Sequence, residues 1–150
     1  MKKRFISLTI TIIILTISMY LLGTGSELLI QPFIENPFVP FGSLITWFGL
    51  ISMQFIILIG IENIRNSNTS IYKTLRLINK LFIILAILWI PICYILAGNF
   101  SNTFANKETF QGGQLAMKWF WRYTYSLGIV PILILLIHWI HNFYGKLLKK

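Results

Sequence analysis

Negative charge is nearly missing from these 150 residues: four acidic side chains stand against thirteen Lys and Arg, for a net charge of +9. Charged residues of either sign make up only 11% of the chain, against roughly 25% in a soluble domain. That is too few to clothe a water-facing surface, which argues against a soluble enzyme fold. With 56% apolar residues, intrinsic disorder is excluded as well. The single cysteine, Cys93, rules out an intramolecular disulfide and a thiolate metal cluster. The sequence has no GxGxxG, P-loop, HExxH, GxSxG or CxxC motif, no internal repeat and no low-complexity tract. Alanine is scarce, with 4 copies against 28 isoleucines, a bias that points to an AT-rich, bacterial genome.

What is present is a set of long uncharged runs. A helix needs about 20 mostly apolar residues to cross the hydrocarbon core. Phe5–Gly23, Ser43–Ile61, Leu81–Ala97 and Tyr123–Tyr144 meet or approach that length without an Asp, Glu, Lys or Arg. Backbone groups in lipid have no water to pair with, so each run is expected to be helical. The fold class that follows is all-α, an integral membrane four-helix bundle forming one domain over residues 1–150. Lys2, Lys3, Arg4, Arg65, Lys73, Arg76, Lys80, Lys146, Lys149 and Lys150 fall on one side of these spans. Only Lys107, Lys118 and Arg122 fall on the other. The positive-inside rule then puts both termini in the cytoplasm of a bacterial inner membrane. A competing reading makes residues 1–25 a cleaved signal peptide, with Lys2–Arg4 as its basic region. The apolar run exceeds the roughly 7–15 residues usual for such a segment, which favours an uncleaved anchor.

The connectors carry their own signals. Pro32, Pro37 and Pro40 forbid a continuous helix through Thr24–Gly42, yet that segment is rich in Leu, Ile and Phe. It is expected to lie on the bilayer, tuck against the bundle or cover a partner. Between the second and third spans, Asn68, Thr69 and Ser70 are helix-capping residues. The helix beyond them sets Lys73, Arg76 and Lys80 on a face that would meet anionic headgroups. A nucleic-acid partner is not indicated, because this cluster is small and lies against a membrane. Before the fourth span, QGGQLAMKWFWRY reads as an amphipathic interfacial helix. Leu115, Ala116, Trp119, Phe120 and Tyr123 share one face, and Gln114, Lys118 and Arg122 recur every four residues on another. It is either a plain aromatic belt or an anion site built from Lys118 and Arg122.

Ionisable groups inside a membrane are costly and usually functional. No span holds a carboxylate, Lys or Arg, which disfavours proton-coupled transport and voltage sensing. His138 and His141 are the titratable groups of the fourth run. Their spacing offers two ligands of an incomplete metal or haem site, or two interfacial anchors. Gln54, deep in the second span, needs a hydrogen-bond partner on another helix. Ser7, Thr11 and Ser18 form a strip on the first span. These four mark either a packing seam or a pore lining. Pro91 and Pro131 are expected to kink the third and fourth spans.

Three functional readings follow. The first is a small non-catalytic membrane protein working by association, as a subunit or as an accessory, immunity or defence component, with a protein partner or as a homo-oligomer. The second is a homo-oligomeric channel lined by Gln54 or the Ser7/Thr11/Ser18 strip. The third is a redox protein binding haem or metal through His138 and His141. The first implies no cofactor and no catalytic residue.

Overall fold

A computed structural model describes residues 2–101, 104 and 110–147; Lys107, Lys149, Lys150 and the side chain of Lys146 lie outside the described residues. The helices are α1 (Lys2–Thr24), α2 (Phe41–Gly60), α3 (Glu62–Asn66), α4 (Ser70–Ile87), α5 (Trp89–Ala97) and α6 (Gly113–Leu147). Between α1 and α2 the chain forms a 3-10 turn, Glu27–Ile30, and a small antiparallel hairpin of β1 (Pro32–Ile34) and β2 (Val39–Pro40). Among the described residues, α1, α2 and α6 are long and apolar enough to cross a membrane, and α4 with α5 makes a fourth if that bent pair is one span. The chain is therefore a helical protein of multi-pass membrane type.

Helix α1 is rich in β-branched threonine, a weak helix former in water. Here Thr9, Thr11, Thr16 and Thr24 donate their hydroxyls to the carbonyls of Phe5, Ser7, Ile12 and Tyr20, one turn back. This hides the polar group in the helix's own backbone and lets the residue face an apolar solvent. The helix packs antiparallel on α2, its main partner among the described residues. A Cβ added to Gly49 would lie 3.0 Å from the Ser18 Cβ, so the two backbones approach as closely as small residues permit. At the other end of the seam, Arg4 donates from Nε and Nη2 to the Ile59 carbonyl at 3.0 and 2.7 Å. A cation thereby meets the negative C-terminal end of α2.

The centre is made by α2, α4, α5 and α6. One apolar cluster, near the Arg4 end, joins Ile57, Ile64, Tyr72, Leu75 and Ile134. A second, toward the other end, joins Ala86, Trp89, Cys93, Phe120 and Leu127. The connector between α3 and α4 is drawn in by Arg76, which donates to the carbonyls of Ile64 and Ser67 at 2.6 and 2.7 Å.

Two prolines dictate where side-chain donors go. Pro131 has no N–H, so the Leu127 carbonyl one turn earlier loses its intrahelical partner. Gln54 of α2 donates Nε2 to that carbonyl at 2.6 Å. Pro91 likewise frees the Ile87 carbonyl, and the Trp47 indole N–H of α2 reaches Ala86 O and Ile87 O at 3.0 and 3.1 Å. Tyr123 adds a hydroxyl to Leu85 O at 2.5 Å. Trp47 and Gln54 are seven residues apart, two turns of one helix face. Each answers one proline.

The helix leading into the third span starts at Ser70, where the capping residues place it, and the chain bends by 55° across Leu88 before α5 resumes. That bend lies in the turn before Pro91, as a proline kink does, while α6 runs past Pro131 as one helix. Two expectations need correcting. The amphipathic segment is not a separate piece but the first turns of the 35-residue α6. The face expected to unite Leu115, Trp119 and Phe120 is divided, for Phe120 is buried while Leu115 and Trp119 are exposed.

Gln54→Leu should lower resistance to unfolding by about 1–2 kcal/mol, because it strands the Leu127 carbonyl. Adding Pro131→Ala, which restores a backbone donor to that carbonyl, should recover much of the loss. The midpoint of unfolding in a denaturing detergent, measured for both single variants and the double, checks the coupling.

Candidate functional site

One set of interior polar side chains lines up along the junction of α2, α4 and α6. On α4 they are Tyr72 and Asn79, separated by seven residues with Leu75 between them. On α6 they are His138 and Asn142, one turn apart. All four face the bundle because the apolar row of each helix continues through them.

Nearest the Arg4 end, three side chains close a ring. Asn142 Nδ2 lies 3.0 Å from His138 Nε2, the Tyr72 hydroxyl lies 2.9 Å from His138 Nδ1, and it lies 3.3 Å from Asn142 Oδ1. One proton arrangement satisfies every member. The amide donates to a bare Nε2, Nδ1–H donates to the tyrosine oxygen, and the tyrosine O–H donates to the amide oxygen. Asn63 adds a longer contact, Nδ2 to the Tyr72 oxygen at 3.4 Å. The His138 and His141 rings stand edge-on to Tyr72, with centroids 5.7 and 5.3 Å away.

Deeper lies a second polar layer. Gln54 and Asn79 are both fully buried. Asn79 donates Nδ2 to the Gln54 backbone carbonyl at 3.4 Å while Gln54 holds Leu127. Their side-chain oxygens, Gln54 Oε1 and Asn79 Oδ1, have no partner among the described residues. Between the two layers sit Ile57, Leu75 and Ile134, all nearly inaccessible. This apolar plug separates the ring from the deeper amides.

Each sequence-predicted residue has a definite place. His138 has both ring nitrogens engaged within the ring, which leaves neither for a metal or haem iron. Among the described residues, no group of three or more His, Cys, Asp or Glu could hold a metal ion. Gln54 points into its own bundle and reaches no outer surface on which copies of the chain could share it. Of the strip on α1, Ser18 is buried on Gly49, Thr11 is half-buried and bonded to Ser7 and Leu8 carbonyls, and Ser7 is exposed. Lys73 and Lys80 are exposed, while Arg76 is half-buried and spent on carbonyls. Lys118 and Arg122 are exposed on α6. Arg65 and Glu62 approach to 4.0 Å on the surface, a contact of little energetic weight.

Sequence reasoning missed Tyr72, Asn79 and Asn142. A signal existed for each: Tyr72, Leu75 and Asn79 share one helical face, and Asn142 follows His138 by one turn. Neither a protein family, nor a curated protein, nor a solved structure matches this chain. The chemistry of the site therefore rests on its geometry, which is that of a clamp between helices.

Tyr72→Phe removes a donor and an acceptor at once and should cost about 1–2 kcal/mol of stability. His138→Ala in that background should cost clearly less than it does alone, since the ring is already open. A double-mutant cycle on the unfolding midpoint reads the difference.

Proposed function

We propose that the chain is a bacterial plasma-membrane protein that crosses the bilayer four times with both termini in the cytoplasm. In this reading it works without catalysis, by associating with another membrane protein or with copies of itself, as a subunit of a larger complex or an accessory, immunity or defence component. The observation that carries the reading is the hairpin between α1 and α2. It is held firmly: Leu29 is buried beside Gly42, Phe41 N–H donates to Gln31 O at 3.0 Å, and the Phe33 and Phe41 rings meet edge-on at 5.3 Å. Yet it presents Ile30, Phe33, Ile34 and Phe38 outward, between 40% and 55% exposed. A fixed apolar knob at the end of a bundle is suited to be covered.

The orientation is supported by the cations. Arg4, Arg65 and Arg76 all gather where α2 ends and α4 begins, two of them bonded to carbonyls there. That end would face the cytoplasm. Interior chemistry gains no support from the polar ring, whose donors and acceptors satisfy one another.

Replacing Phe33 and Phe38 together by Ser should weaken association about ten- to thirty-fold, the effect of losing one or two buried aromatic anchors, with helix content unchanged. Size analysis in mild detergent reads this, and a wild-type chain that behaves as a lone monomer would refute the association reading. Orientation has a separate test, because Cys93 is buried and gives little background. A cysteine placed by Glu35→Cys should react with an impermeant maleimide in intact cells, and one placed by Lys73→Cys only after permeabilisation.

A further inference from the structure

We propose that the exposed face of the first turns of α6 binds one anionic phospholipid, its phosphate between Lys118 and Arg122 and an acyl chain along Met117, Trp121 and Tyr125. A groove of about 490 Å³ is lined by Gln114, Met117, Lys118, Trp121, Arg122 and Tyr125. The six residues form two adjacent rows at four-residue spacing, one polar and one apolar, running in parallel along the helix. The polar row carries two positive charges. Among the described residues the one ion pair is Arg65 with Glu62, at the opposite end of the bundle, and no described carboxylate pairs with Lys118 or Arg122. Like charges at i and i+4 repel. A single anion shared between them removes that repulsion.

The geometry also fixes the kind of anion. The Arg122 guanidinium lies over the Trp119 ring, 5.3 Å from its centroid, a cation–π contact that holds the charge near the helix surface. Trp121 and Tyr125 stack with centroids 5.3 Å apart and 24° between planes, giving the apolar row a flat wall. A free phosphate would touch the cations and leave that wall bare. A phospholipid uses both rows: headgroup against the charges and chain against the rings. A zwitterionic headgroup brings its own cation to the same place, so the groove favours a lipid with net negative charge.

The test is retention of lipid by the full chain released from vesicles of equal parts phosphatidylglycerol and phosphatidylcholine, read by native mass spectrometry. Wild type should keep phosphatidylglycerol in preference to phosphatidylcholine. Lys118→Gln with Arg122→Gln should weaken that retention roughly thirty-fold, about fivefold for each cation near the membrane surface. Lys73→Gln with Lys80→Gln removes the same charge elsewhere and should leave it intact. Lys118→Arg with Arg122→Lys, which keeps both charges, should also bind, and it carries the comparison if the glutamine pair folds poorly. Equal retention of the two lipids by wild type, equal loss in the two glutamine pairs, or displacement by inorganic phosphate would each overturn the assignment.

Discussion

A backbone carbonyl in hydrocarbon has no water to turn to, and the arrangement of this bundle follows from that one restriction. Proline is the residue that breaks the restriction, since it withdraws a donor from the carbonyl four positions earlier. The chain places Pro91 in α5 and Pro131 in α6, then brings α2 between them with an indole and an amide aimed at the two freed oxygens. The result ties α2 to the α4–α5 pair and to α6 through directional contacts. Apolar burial alone would not choose a register here, because lipid tails solvate Leu and Ile as well as another helix does.

The bundle is consequently uneven in how its members are held. Helix α2 has the most partners: α1 on one side, α4 and α6 on others, with buried Gly49 and Ser52 admitting close approach and Gln54 and Trp47 reaching across. Helix α1 has one small-residue seam and one guanidinium at its end, and Ser18 is its one buried residue. Helices α4 and α6 are clasped at the Arg4 end by the ring of Tyr72, His138 and Asn142. The ring and the deeper Gln54–Asn79 layer are separated by the aliphatic plug, so the two polar levels act as separate fasteners rather than as a path.

Much of this was legible in the sequence, and the rest was hidden for specific reasons. The long uncharged runs announce themselves because a charge in a span is costly and its absence is easy to see. Gln54 visibly required a partner, but its partner is a backbone oxygen that looks like any other until Pro131 is read together with the residue four before it. Taken singly, Gln54 is a buried amide and Pro131 a kink; taken as a pair they name a contact between α2 and α6. Asn79 was masked by the lysine–arginine row of the same helix, whose polarity made one more polar residue seem ordinary. The bend at Leu88 lies one turn before Pro91, where the sequence led one to look for it. His138 was conspicuous as a possible ligand, while its real partners, a tyrosine on α4 and an amide one turn away, belong to residue types that draw no notice in an apolar run.

The seven-residue interval between Trp47 and Gln54 makes α2 a fixed ruler. Insertion or deletion of one residue inside that interval would rotate one donor by about 100° relative to the other, and one proline carbonyl would lose its mate whatever replaced the remaining side chains. Length is therefore a stricter requirement than composition in this stretch. The outward sides of α1 can exchange one lipid-soluble residue for another freely, whereas the middle of α2 can change many letters but not their number.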